Sequence, residues 1–275
     1  MEHAASVLIL VSGFAHAIVN AVLKAGRDKM TGRVLIDGFS ALLVAPAAFF
    51  VPLPAHAWGW LFGSWVTHAL YTFALIRSFE RSDMSVAYPI ARGLAPTLAT
   101  LFAVTLFHEY ISLSVAVGIG CIAGGVVLIG RSHALRKVDL GWAGLTGTCI
   151  AAYTVIDAQG VRAAPTAASY VVWIFLMLGG GIGAVFAAVL GRRFLASATE
   201  QWKPGIVAGA LSIMSYGTAL FAFRLGATPR LAALRETSIL FGAAIAFLFL
   251  KERFSRGRFI GVLTIAAGTI LLLSE

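Results

Sequence analysis

The chain has 275 residues, of which 59% are hydrophobic and 12% charged, a formal net charge of +9 and a mean hydropathy of +0.90. Soluble globular domains carry about 25% charged residues, so this composition excludes a soluble domain and implies a polytopic membrane protein. The positive charge sits in short clusters between apolar runs, as in loops flanking membrane spans, which excludes a nucleic-acid interface.

The first apolar run, 4–23, has no Lys or Arg before it, and reads as a retained helix rather than a cleaved signal peptide. It carries His16 and Asn20 at a spacing of i, i+4, on one helix face. Runs 34–53 and 58–76 follow, the latter with His68. Run 84–107 contains Tyr88, Pro89, Arg92 and Pro96, a permanent charge between two helix breakers. After 112–130 comes 141–160, with Tyr153 and Asp157 again at i, i+4. The remaining runs are 168–190, 205–224, 229–250 with Arg235 and Glu236, and 256–274. A spanning helix needs roughly 20 apolar residues, so the expected fold is all-α with ten transmembrane helices. Cys121 and Cys149 lie inside apolar runs, so no disulfide scaffold is indicated. Trp58, Trp60, Trp142 and Trp202 fall at run ends, where interfacial belts form.

Sliding the chain by 143 residues places Arg81 on Arg224, Arg92 on Arg235 and Glu109 on Glu252. The same shift places Ser112 on Ser255, Gly118 on Gly261 and Gly125 on Gly268. A shift of 137 sets Asn20 on Asp157 and His16 on Tyr153. The chain therefore reads as two five-helix repeats, 1–136 and 137–275, and an odd helix count inverts the second copy. Lys and Arg concentrate in the odd-numbered loops, including Lys24, Arg27, Arg33, Arg192, Arg193 and Lys203. The even-numbered loops hold Arg162, Arg224 and Arg230. This bias puts the odd loops in the cytoplasm and both termini outside a bacterial-type inner membrane.

Two segments, "SVAYPIARGLAPTLATLFAVTLFHEYISLSVAVGIGCIAGGVVLIG" and "TPRLAALRETSILFGAAIAFLFLKERFSRGRFIGVLTIAAGTILLL", resemble the EamA repeat of the drug/metabolite transporter superfamily. Each has an interrupted helix, an acidic residue after a small turn and a Gly-punctuated final helix. The second copy has Ala232 and Ile239 where the first has Pro89 and Pro96. The resemblance implies a secondary transporter of small solutes. Within the superfamily the chain is most similar to the ten-helix aromatic amino-acid exporters (YddG-like), with multidrug or general metabolite export as the alternative. An intramembrane enzyme or a lipid-binding scaffold is the different-class alternative.

An arginine at the bilayer centre costs about 3 kcal/mol or more on insertion, so Arg92 and Arg235 should face protein or a watery cavity. Either can hold a substrate carboxylate through its planar donor fork, or serve packing through an ion pair with Asp157 or Glu236. Arg235 adjoins Glu236, which makes pairing easier there. Asp157 and Glu236 are the proton-coupling candidates, and His16 and His68 possible relays. Tyr88 and Tyr153 neighbour the polar positions and can stack on an aromatic substrate. The remaining tyrosines, Tyr170 and Tyr216 among them, read as packing. Pro89 and Pro96 free carbonyls near Arg92 and are expected to break its helix. Glu109 and Glu252 read as helix-start caps. Two arginines against two carboxylates is near balance, which favours a zwitterion. No P-loop, H-E-x-x-H, G-x-S-x-G or zinc-spaced Cys/His set occurs. No cofactor, metal or nucleic acid is expected, only a small-molecule substrate and the bilayer, with the chain working as a monomer.

Overall fold

The computed structural model describes residues 2–25, 28–81, 84–130, 137–248 and 255–274. All regular structure among them is helical. In chain order the helices are α1 Glu2–Ala25, α2 Lys29–Val44, α3 Trp58–Arg81, α4 Met84–Phe107, α5 Leu113–Gly130, α6 Lys137–Ala163, α7 Ala167–Leu190, α8 Arg192–Leu225, α9 Thr228–Arg235, α10 Ser238–Leu248 and α11 Arg256–Leu273. Among the described residues five stretches are long and apolar enough to cross a membrane: Glu2–Leu23, Met30–Phe49, Ala167–Leu190, Arg192–Leu225 and Arg256–Leu273. Large apolar side chains such as Leu42, Leu106, Val189 and Ile270 stand exposed on the outside, as a lipid-facing surface requires.

Local chemistry sets the helix starts. Asp28 caps α2 by accepting from the Met30 and Thr31 amides at 3.1 and 3.3 Å. Thr166 caps α7 through the Ser169 amide at 3.0 Å, and Ser255 caps α11 through the Arg258 amide at 3.2 Å. Ser112 does the same for α5 through the Val115 amide at 3.2 Å.

Several boundaries differ from the hydropathy reading. Arg33 belongs to α2, where it pairs with Asp37 one turn later at 3.0 Å. Arg192, Arg193 and Lys203, read as loop residues, lie inside α8, which runs through Pro204. Charges near a helix end extend the helix beyond the apolar window without ending its backbone hydrogen bonds.

The expected break is also displaced. Despite Pro89 and Pro96, α4 runs unbroken from Met84 to Phe107. The interruption falls instead in the second half of the chain, between α9 and α10, where Ala232 and Ile239 stand in place of Pro89 and Pro96. There the Glu236 and Thr237 amides turn back to the Ala233 and Leu234 carbonyls at 3.0 and 3.1 Å, a tightened i−3 pattern. The Thr237 hydroxyl donates to the same Leu234 carbonyl at 2.7 Å. Gly13 of α1 faces this turn, where an added Cβ would lie 3.0 Å from Thr237 Oγ1 and 3.3 Å from the Ser238 nitrogen.

The helices pack mainly across the two halves of the chain. α1 lies against α8, α9 and α10, while α6 lies against α3 and α4. α2 lies against α7 and α8, and α5 pairs with α11 along its length. The α5–α11 crossing is backbone on backbone: a Cβ on Gly125 would fall 2.6 Å from the Gly261 carbonyl, and one on Gly268 would fall 2.7 Å from that of Gly118.

Candidate functional site

Seven elements bring the intramembrane polar residues together between the halves. Arg92 projects from α4 and is buried. Its Nε stands 3.0 Å from Glu236 Oε2, and its Nη2 donates to Ser238 Oγ at 2.7 Å. Both acceptors lie at the α9–α10 turn, so Arg92 clamps the interruption from the first half of the chain. Pro96 removes the amide that would bond the Arg92 carbonyl, and Pro96 itself lines the cavity beside this pair. Thr97 and Thr100 return hydroxyl bonds to the Gly93 and Pro96 carbonyls at 3.4 and 2.8 Å, which helps α4 continue through both prolines.

Arg235 is the last residue of α9. It is 9% exposed, and its guanidinium lies over the Tyr216 ring, 5.1 Å from the centroid. Among the described residues it forms no ion pair, and its buried Nε has no hydrogen-bond partner. Glu236 therefore pairs across to Arg92 rather than with its sequence neighbour, and Arg235 has no counter-ion among the described residues. Arg92, Pro96, Thr154, Arg235 and Glu236 line one small cavity between α4, α6 and α9.

Asp157 on α6 is fully buried. It accepts from the Tyr170 hydroxyl at 2.7 Å through Oδ1 and from the Tyr216 hydroxyl through Oδ2. No arginine pairs with it among the described residues. Tyr170 and Tyr216, read from sequence as packing residues, are thus the ligands of this carboxylate. Tyr170 reaches it because Gly160, one turn after Asp157, leaves the space its ring occupies; a Cβ at Gly160 would overlap that ring. Tyr216 sits in a π-helical turn, Ile213–Gly217, of α8. Such turns displace one residue from the helical register and recur at functional sites.

An aromatic wall continues the site. His68 of α3 stacks on Tyr153 with ring centroids 4.0 Å apart and an interplanar angle of 23°. Tyr153 meets Tyr71 and Tyr216 edge-on at 5.7 and 6.4 Å. The His68 Nδ1 lies 2.9 Å from the Ser64 carbonyl, a helix-internal contact. His16 and Asn20 are half-buried on α1, and the Asn20 side chain makes no hydrogen bond among the described residues. Tyr88 lies on α4, but its side chain falls outside the described residues, as does the whole of Glu252.

A second polar cluster closes one end of the bundle. Glu109 accepts from Arg162 Nη1 at 2.7 Å, from the Thr228 amide at 2.8 Å and from the Thr228 hydroxyl at 2.8 Å. Glu109 does cap a helix start, but it is that of α9 in the other half and not that of its own neighbour α5. Arg162 also donates to the Phe223 and Gly226 carbonyls at 3.0 and 2.7 Å. Arg224 donates to the Val161 and Ala164 carbonyls at 2.7 and 2.9 Å, and Arg230 to that of Leu272 at 2.9 Å. The three arginines of this face thus satisfy the open carbonyls at the ends of α6, α8 and α11. α9 is a short rod fixed at its first residue by Glu109 and just beyond its last by Arg92.

Residues 140–274 match the model of the EamA-like transporter family. The second half of the chain is thus similar to the EamA-like transporters. A solved structure titled only "Crystal structure of protein" superposes with a TM-score of 0.70 at 16% identity, covering 97% of this chain and 94% of that one. That likeness is one of fold. No curated protein matches the chain.

Proposed function

We propose that the protein is a secondary transporter that exports neutral amino acids, aromatic ones above all, by alternating access between two inverted five-helix repeats. The carrying observation is Arg235. A buried guanidinium with no counter-ion among the described residues and an unfilled Nε donor, held on an aromatic face inside a cavity, is a seat for a carboxylate. Tyr153 and Tyr216 beside it supply faces for an aromatic side chain. Arg92, the repeat partner of Arg235, is neutralised by Glu236 and holds the α9–α10 turn in position.

The contact pattern supports inverted repeats. Gly118 and Gly261 are repeat-equivalent, as are Gly125 and Gly268, yet the close approaches join Gly118 to Gly268 and Gly125 to Gly261. A two-fold axis between two equivalent helices would exchange partners in this way. α1 against α8 and α10, and α6 against α3 and α4, repeat the same exchange. The axis suits repeats that rock about a midplane site. Loop charge orients the odd loops to the cytoplasm.

Counterflow in proteoliposomes tests the proposal. Vesicles loaded with unlabelled Phe, Trp, Leu or Thr should accelerate uptake of labelled Phe, and Arg235→Leu should abolish the acceleration. Absence of exchange with every amino acid, in protein shown to be folded, overturns the amino-acid reading and turns the search to other metabolites and cationic drugs.

A further inference from the structure

Two orphan groups face each other's chemistry in the cavity. Arg235 Nε is a buried donor without an acceptor, and Glu236 Oε2 is a buried acceptor without a hydrogen-bond donor. The 3.0 Å approach of Glu236 Oε2 to Arg92 Nε is a charge contact whose N–H does not point along the line to the oxygen. Buried polar atoms are almost always hydrogen-bonded, so two neighbouring exceptions of opposite kind call for a ligand. Both residues line the same cavity. Consecutive residues of a regular helix point about 100° apart, and here the tightened turn at Glu236 accompanies two adjacent, oppositely charged side chains in one cavity.

We infer that Glu236 reads the ammonium group of the substrate: the ligand's carboxylate fills Arg235 and its α-ammonium donates to Glu236 Oε2. The assignment rests on the transport reading above and adds to it a seat for the substrate's amino group. A monocarboxylate of the same shape satisfies Arg235 and leaves the Glu236 oxygen orphaned. An amine without a carboxylate leaves Arg235 orphaned. An α-amino acid carries both groups on one carbon and satisfies both. Leaving a buried partner unmade lowers affinity by roughly ten- to a hundredfold.

Counterflow with Phe and with 3-phenylpropionate, which keeps the ring and the carboxylate and lacks the amine, tests this. Wild type should prefer Phe by roughly tenfold or more in half-saturating concentration. Glu236→Gln should reduce that preference to within about threefold, and Glu236→Asp should retain most of it. Equal use of both compounds by wild type overturns the inference while leaving the transport reading intact. An unchanged preference in Glu236→Gln does the same. Exchange with neither compound, nor with any other amino acid tried, overturns the amino-acid reading and the inference with it.

Discussion

The Glu109–Arg162 contact gives a quantitative test of how the closed end of the bundle is held. Arg162 makes bonds to Glu109 at 2.7 Å, to the Phe223 and Gly226 carbonyls at 3.0 and 2.7 Å, and to Thr228 Oγ1 at 3.1 Å. The side chains are 28% and 14% exposed, so the pair is neither fully screened nor fully buried. Exposed pairs contribute about 0.2–1 kcal/mol and hydrogen bonds to buried charges about 1.5–3 kcal/mol. Replacing Arg162 by Met should therefore destabilise the protein by about 2–3 kcal/mol, with water taking over part of the carbonyl bonding. Glu109→Gln should cost less, because Gln retains an acceptor for the Thr228 amide. A double-mutant cycle in detergent, read by reversible denaturant unfolding, should return a Glu109–Arg162 coupling of about 1 kcal/mol. Strict additivity, within about 0.3 kcal/mol, would refute the claim that the pair is one energetic unit.

Tyr216→Leu and Tyr216→Phe both remove the hydroxyl bond to Asp157, but only Leu removes the aromatic face under Arg235, so Leu should weaken amino-acid affinity roughly three- to thirtyfold more than Phe; equal losses in the two variants would show that the ring contributes nothing. Gly160→Ala drives a methyl into the Tyr170 ring, so it should destabilise the protein by about 1–3 kcal/mol and reduce exchange, and wild-type stability would contradict the described packing. Gly125→Leu should cost at least as much at the α5–α11 crossing, while Gly120→Ala, with open space around it, should be near neutral in the same unfolding assay. Burial opposes ionisation of Asp28 in the loop before α2, but the Thr31 amide and hydroxyl and the Arg193 guanidinium outweigh it and hold its carboxyl below the ordinary aspartate value. A lowered folded-state value means stabilisation present above the usual value of about 3.9 and lost as pH falls through the folded one. Asp28→Ala should thus cost about 1 kcal/mol at pH 7, and the difference from wild type should shrink steadily below about pH 4; a difference that does not change with pH would remove the charge from the explanation.

Much of this protein is set by composition. Apolar runs of spanning length, with most charges gathered between them, leave a chain no fold but membrane helices, because lipid satisfies no backbone group. The resemblance to EamA-like transporters was likewise readable in 228–273, which lies within the matched residues, and the 143-residue shift that joins Arg92 to Arg235 pointed to both buried arginines. What sequence could not supply was the pairing among buried charges. Adjacency suggested Glu236 for Arg235, yet Glu236 meets Arg92 from the other half of the chain. Prolines suggested a break in α4, yet the break lies where Arg92 and Ser238 bond across the two halves. Tyr170 and Tyr216 looked like packing residues until Asp157 stood between them. A buried charge takes whichever partner the packed helices bring within about 3 Å, and helix faces from distant parts of the chain meet only when the bundle is assembled.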